Sequence, residues 1–180
     1  MKICVFLGSK TGMNPIFGKK VGELCEEISK RKFEIVYGGG SIGLMGLLAD
    51  TAIHYGIPIY GVIPSFLAEK ELAHQNLNQT IFVNSMSERK EKMIAMSDAF
   101  LVLPGGIGTM DEFFEVFTYK QLRLIDKPIA ILNTSDYYQT FKKFLVEMVK
   151  EGFLNLEDFE SLIISASIPY ILDKFVEFYS

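Results

Sequence analysis

Residues 99–112 decide the fold, and they read Ala99-Phe-Leu-Val-Leu-Pro104-Gly-Gly-Ile-Gly-Thr-Met-Asp-Glu112. The first five are apolar, which is typical of a strand buried on both faces of a sheet. The apolar spacing of residues 113–124 predicts a helix. Three glycines at such a strand-to-helix turn let the backbone approach a bound group, and the N–H groups that open the helix attract an anion. The turn therefore predicts a phosphate site.

Glu112 falls on the first turn of this helix, beside the expected anion, so we expect its carboxylate to have a chemical role. An alternative is a structural capping box, with Thr109 as N-cap and Glu112 folded back to the N-cap N–H. Asp111 and Glu112 also suit the positive end of the helix dipole. Capping alone requires none of the three glycines, which favours the functional interpretation.

Strand and helix patterns alternate along the whole chain. Continuous apolar stretches predict strands at residues 3–7, 34–37, 57–63, 80–83, 99–103, 129–132 and 162–164. Helical spacing occurs near residues 15–31, 43–55, 86–97, 110–124, 136–150 and 168–179. The alternation predicts an α/β fold: a single domain over residues 1–180, with a doubly wound Rossmann-like sheet, mostly or wholly parallel, and helices on both faces.

Composition excludes several classes of protein. The 180 residues are 49% hydrophobic and 22% charged, as in an ordered globular chain, and the net charge of −4 without a basic stripe argues against nucleic-acid binding. Cys4 and Cys25 lack metal-ligand or redox spacing and are interpreted as buried apolar residues; we expect no metal and no cofactor. Neither a signal peptide nor a membrane-spanning stretch is found, so a cytoplasmic protein without membrane contact is expected.

Two further glycine-rich turns give weaker signals. The turn from Gly8 to Gly12 lacks the spacing of a P-loop. The turn from Gly38 to Gly43 matches Gly-x-Gly-x-x-Gly, but no acid for a ribose hydroxyl follows near residues 62–64, which disfavours NAD. Close packing of a helix on the sheet, with Gly46 in that helix, explains the glycines better, and a contribution to a shared phosphate pocket stays open.

The helix predicted from residue 86 has an unusual face. Met86, Arg89, Lys90 and Met93 share one side, so two cations lie beside apolar neighbours and near the end of the dipole that disfavours them. One interpretation is that their long stems lie along apolar surface with the charges in water. The other is that both cations face an anionic ligand.

The longest gap between predicted elements covers residues 64–78. It contains Glu69, Lys70, Glu71 and His74. A loop of this length is often functional, so a lid or a pocket wall is expected.

Three motifs closely resemble the LONELY GUY (LOG) family, namely Tyr37-Gly-Gly-Gly-Ser-Ile-Gly-Leu-Met-Gly46, Ser85-Met-Ser-Glu-Arg-Lys90 and Pro104-Gly-Gly-Ile-Gly-Thr-Met-Asp-Glu112. Members of this family are cytokinin riboside 5′-monophosphate phosphoribohydrolases, many of them once labelled lysine decarboxylases. The resemblance extends over nearly the whole chain. It implies a Rossmann-like homodimer that needs no metal and acts on a small nucleotide.

The resemblance also implies residue roles. Arg89 and Glu112 would be the catalytic pair, Gly105, Gly106, Gly108 and Thr109 would hold the 5′-phosphate, and Met86 and Lys90 would line the pocket. The chain departs from the family pattern at Lys10, Asn84, Ser87, Ile107, Tyr119 and Ile125. These departures bear on which base is accepted and leave the catalytic pair intact.

The implied reaction is hydrolysis of the N-glycosidic bond of adenosine 5′-monophosphate or an N6-modified form. A non-catalytic nucleotide or molybdenum-cofactor carrier is the alternative, because such carriers share a similar glycine motif. A true decarboxylase is disfavoured, since the sequence gives no sign of a Schiff-base lysine with a pyridinium partner.

Overall fold

The computed structural model describes residues 1–68 and 73–180. Its strands are β1 (Lys2–Phe6), β2 (Glu34–Tyr37), β3 (Ile59–Pro64), β4 (Gln79–Val83), β5 (Ala99–Val102), β6 (Ile129–Leu132) and β7 (Leu162–Ser165). Its α-helices are α1 (Ile16–Arg31), α2 (Gly43–His54), α3 (Ser65–Ala68), α4 (Met86–Met96), α5 (Ile107–Gln121), α6 (Gln139–Lys150), α7 (Leu156–Glu160) and α8 (Ile168–Phe178).

All seven strands pair in parallel in one sheet of order β4-β3-β2-β1-β5-β6-β7. The chain builds outward from β1 to β4 and then returns to place β5 on the other side of β1. The predicted doubly wound α/β fold is confirmed. In such sheets ligands bind beyond the carboxyl ends of the strands where the order reverses, and here that point lies between β1 and β5.

Side chains cover both faces of the sheet. Helices α1, α2 and α8 bury their apolar residues on one face, and α4, α5 and α6 bury theirs on the other. Cys25 belongs to the first core and Cys4 to the second, which confirms that both cysteines are buried. Burial raises the pKa of the Cys25 thiol to about 12, so it is an inert core residue.

The structure adds elements that the sequence pattern did not predict. Helices α3 and α7 contain only 4 and 5 residues, too few to show a helical period. Helix α3 occupies the start of the predicted 64–78 loop, whereas Glu69, Lys70 and Glu71 lie outside the described residues. His74 lies 3.0 Å from Asp50 and its backbone N–H donates to Gly39.

Two structural features are absent from the described residues. No helix there is long and apolar enough to cross a membrane. Likewise, no three metal-ligating side chains come together within residues 1–68 and 73–180.

Candidate active site

A cavity of about 460 Å³ opens at the carboxyl edge of the sheet, within the range of roughly 300–1,000 Å³ usual for small-molecule sites. The loops after β1 and β5 form two of its walls, and the start of α4 forms a third. This is the switch point of the doubly wound sheet. Most of the predicted site residues line it: Met86, Arg89, Gly105, Gly106, Gly108, Thr109 and Glu112.

The glycine turn presents backbone donors to this cavity. Helix α5 begins at Ile107 with Gly106 at the N-cap position, and no side chain caps it. Within the described residues, the N–H groups of residues 106–109 have no hydrogen-bond acceptor, whereas the backbone of Gly105 interacts with the Tyr138 hydroxyl. Such donors at a helix N-terminus form an anion site.

The start of α5 contradicts the capping-box alternative. Thr109 is not the N-cap but lies in the first turn, where it is buried. Its position explains one glycine, because a Cβ at Gly105 would lie 2.0 Å from the Thr109 hydroxyl oxygen and 2.9 Å from the backbone nitrogen of Gly8. The turn is thus packed tightly on both sides.

Arg89 and Glu112 meet at the floor of the cavity. Their closest atoms, Nη2 and Oε1, are 4.0 Å apart, and the two side chains are only 6% and 11% exposed. Arg89 Nη2 also donates to the carbonyl of Gly38 at 3.1 Å. Its Nε is buried without a hydrogen-bond partner among the described residues. A buried cation that is only partly satisfied is costly, which is typical of functional sites.

The glycines after β2 make room for this arrangement. A Cβ at Gly38 would lie 1.9 Å from Arg89 Nη2, and one at Gly43 (φ +60°) would lie 2.3 Å from the carbonyl carbon of Ser9. Close packing is therefore the role of Gly38 and Gly43, although it differs from the packing of a helix on the sheet that the sequence predicted. Their partners are Arg89 and the loop after β1 rather than the sheet.

Lys90 does not line the cavity, contrary to the role that the family resemblance implied. Consecutive helical residues project about 100° apart, and of these two only Arg89 lines the cavity. Lys90 Nζ instead lies 3.1 Å from Asp111 and also pairs with Glu115. Partial burial opposes the charged form, but these ion pairs raise the pKa of Lys90 above its ordinary value. Lys90 thereby links α4 to α5.

The cavity also contains residues that were not predicted to bind substrate. Lys10, in the loop after β1, is exposed and forms no ion pair within the described chain. Tyr137, in the segment after β6, packs its ring edge against Phe17 and donates its hydroxyl to the carbonyl of Gly105 at 2.6 Å. The signal that could have identified both is their position: each follows a predicted strand on the ligand-binding edge.

Ile107 is the one departure from the family pattern, besides Lys10, that lines the cavity. Its side chain is 88% exposed at the mouth. The two positions are therefore placed to influence which ligand fits.

The chain is similar in sequence and in structure to known proteins. A family model described as "possible lysine decarboxylase" matches residues 45–175. The probable cytokinin riboside 5′-monophosphate phosphoribohydrolase LOGL1 of Oryza sativa subsp. japonica is 40% identical over 99% of this chain and 80% of its own length. LOG4 of Arabidopsis thaliana, a cytokinin riboside 5′-monophosphate phosphoribohydrolase, is also 40% identical, over 99% of this chain and 83% of its own.

A solved structure of the molybdenum cofactor carrier protein from Chlamydomonas reinhardtii superposes with a TM-score of 0.74 and 18% identity, over 99% of this chain and 97% of the carrier. At that identity the likeness shows the fold alone. The match to the family model and the near full-length similarity to the plant proteins show more: the chain belongs to the LOG family.

Proposed function

We propose that this protein hydrolyses the N-glycosidic bond of adenosine 5′-monophosphate or an N6-substituted form, releasing the free base and ribose 5-phosphate. The names of the plant relatives support this reaction class. The observation that carries the proposal is the buried Arg89–Glu112 pair, 4.0 Å apart, beside a glycine turn with unpaired N–H groups.

The substrate's phosphate is proposed to bind the N–H groups of Gly105, Gly106, Gly108 and Thr109. Because α5 begins at Ile107, Glu112 lies in its second turn and not in the first turn, where the sequence pattern placed it. Its carboxylate would still be repelled by the phosphate itself. Both groups are accommodated when the ribose extends from the phosphate toward Glu112. Binding energy from the phosphate then helps to align the sugar for reaction.

Cleavage is proposed to proceed through an oxocarbenium-like transition state, as in other glycoside hydrolyses. The bond from C1′ to the base nitrogen breaks with its electron pair going to the base, and a water oxygen bonds to C1′. Glu112 stabilises the positive sugar and accepts a proton from that water. The departing base takes up a proton from solvent, and Glu112 returns its own proton to solvent, so that the carboxylate is regenerated. Arg89 offsets negative charge on the base or the phosphate, and Met86 contributes apolar pocket wall.

The test is chromatographic detection of free base and ribose 5-phosphate after incubation with AMP, N6-isopentenyl-AMP and, as a control without phosphate, adenosine. Equimolar base and ribose 5-phosphate from the nucleotides are expected, and the ratio of the two rates identifies the preferred base. A nucleotide that binds and is recovered intact would contradict the proposal and favour a carrier function.

We further propose that the chain acts as one nucleotide-binding domain over residues 1–180 and forms a homodimer. Exposed apolar side chains on and near α5 and α6 support the dimer: Leu122, just after α5, is 61% exposed and Phe144 is 55% exposed, and Phe114 of α5, 39% exposed, contacts Phe141 of α6. Light scattering should give twice the chain mass, and Phe144→Glu should reduce it. A monomer of wild-type protein would refute the dimer.

A cytoplasmic location belongs to the same proposal. Cys4 and Cys25 are both free and buried, which suits a reducing compartment. Cell fractionation with an antibody against the chain tests it; recovery outside the cytoplasm would contradict it.

A further inference from the structure

Three consecutive carbonyl groups at the entrance to the glycine turn are held by donors from other parts of the chain. The Tyr138 hydroxyl donates to Leu103 at 2.7 Å, and the Tyr137 hydroxyl donates to Gly105 at 2.6 Å. Between them, the backbone N–H of Gly8 donates to Pro104 at 3.2 Å. All three carbonyl oxygens are thereby engaged by protein groups.

The two residues immediately before Tyr137 have an unfavourable backbone conformation. Ser135 and Asp136 both have positive φ, 49° and 57°, a conformation that non-glycine residues rarely adopt. The turn is fixed from within, since the N–H of Tyr138 donates to the side chain of Asn133 at 2.8 Å. The Tyr137 ring is then fixed by edge contact with Phe17, 5.5 Å between ring centroids.

Holding a carbonyl also fixes the N–H of the next residue, because the two point in opposite directions across a planar peptide. The bond from Gly8 to Pro104 therefore fixes the N–H of Gly105. The bond from Tyr137 to Gly105 fixes the N–H of Gly106 in the same way. It also keeps a carbonyl dipole, which an anion would avoid, turned toward the tyrosine.

We propose that Tyr137 is a positioning residue that orients the Gly105–Gly106 peptide for the phosphate of the substrate. This inference rests on the proposed function only in that the glycine turn binds phosphate. The hydroxyl of Tyr137 acts on the ligand through the peptide, so its loss weakens binding of the phosphate and leaves the base and ribose contacts unchanged.

Tyr138 differs from Tyr137 in the carbonyl that its hydroxyl binds. Its hydroxyl holds the carbonyl of Leu103, and the next residue is Pro104, which has no N–H to orient. Tyr138 is also buried, whereas Tyr137 is 47% exposed and lines the cavity. Tyr138 therefore stabilises the end of β5 and the backbone of Gly105 from the buried side, whereas Tyr137 holds the Gly105–Gly106 peptide at the cavity surface.

The experiment compares AMP with adenosine by isothermal titration calorimetry on folded wild-type protein and Tyr137→Phe, which keeps the ring. The matched control is Tyr179→Phe, because the Tyr179 hydroxyl donates to the carbonyl of Asp98 at 2.6 Å at the opposite, amino edge of the sheet. We expect Tyr137→Phe to weaken AMP binding about tenfold. The variant loses the hydrogen bond that orients the Gly106 N–H toward the charged phosphate. Adenosine affinity, and both affinities of Tyr179→Phe, should stay within about twofold.

Equal weakening of AMP and adenosine by Tyr137→Phe would overturn the proposal, and so would unchanged AMP affinity. Either result is independent of the proposed reaction, which is read from base release by the wild type. Conversely, the wild type could release no base while Tyr137→Phe still weakens AMP binding and leaves adenosine binding unchanged. That pair of results would support the positioning role of Tyr137 and contradict the proposed hydrolase activity.

Discussion

The guanidinium of Arg89 occupies the space that a side chain at residue 38 would need. Its Nη2 donates to the Gly38 carbonyl at 3.1 Å and lies 1.9 Å from the position that a Cβ at Gly38 would occupy. The loop after β2 and the first turns of α4 therefore pack closely, and the absence of a side chain at Gly38 leaves room for Arg89 to reach Glu112.

Gly38→Ala should therefore impair the site more than the fold. The added methyl would displace the guanidinium, and a displacement of about 1 Å at a reacting group costs on the order of 100-fold in rate. We expect that loss in kcat/KM for AMP. Gly22→Ala in α1 is the control, because a Cβ there meets nothing within 4 Å and alanine favours a helix. Equal activity of the two variants would contradict this account of Gly38.

Lys10 should contribute to phosphate recognition by long-range attraction. It lines the cavity without an ion-pair partner in the described part of the chain, and an exposed charge contributes up to about 1 kcal/mol. Lys10→Gln is expected to weaken AMP binding about two- to fivefold, less at high salt. Adenosine binding should not change. Lys19→Gln on exposed α1 surface is the control; the same loss in that variant would indicate a general effect of net charge.

The link from Lys90 to Asp111 and Glu115 should make stability depend on alkaline pH. Partial burial opposes the charged form, yet the ion pairs raise the pKa of Lys90. The stabilisation is therefore fully present below the pKa of an unfolded lysine, about 10.4, and is lost as pH rises through the higher folded-state value.

Denaturant titration of Lys90→Met against wild type between pH 7 and about pH 11.5 measures this. The difference in free energy of unfolding should be constant at neutral pH and shrink above about pH 10.4. Lys143→Met, at an exposed lysine without an ion pair in the described chain, should show no such change. A Lys90→Met difference that persists at the alkaline end would refute the ion-pair account.

The seven strands and six longer helices were predictable because apolar residues follow a different pattern in each. Continuous apolar stretches such as residues 99–103 fit only strands buried on both faces, and α1 or α8 show a clear helical stripe. The start of α5 was not predictable from Thr109, because the capping-box pattern is local. The position of the N-cap at Gly106 depends instead on tight contact of Gly105 with the Thr109 side chain and Gly8.

The site was predictable to the extent that it is local in sequence. Arg89, Glu112 and the glycine turn lie in short motifs, and the structure brings them into one cavity. Lys90 was misplaced because helical spacing defines a broad face and cannot tell which of two adjacent residues points inward. Tyr137 and Lys10 reach the cavity only through the strand order, which places the ends of β1, β5 and β6 side by side.

The most direct test of the central claim is the turnover of AMP by Glu112→Gln, measured together with its AMP affinity. Asp111→Asn removes a 53% exposed carboxylate from the same helical turn and is the matched control. We predict that Glu112→Gln lowers kcat by between about 10² and 10⁴ while AMP still binds, and that Asp111→Asn turns over at nearly the wild-type rate. A folded Glu112→Gln protein that releases base as fast as wild type would contradict the account.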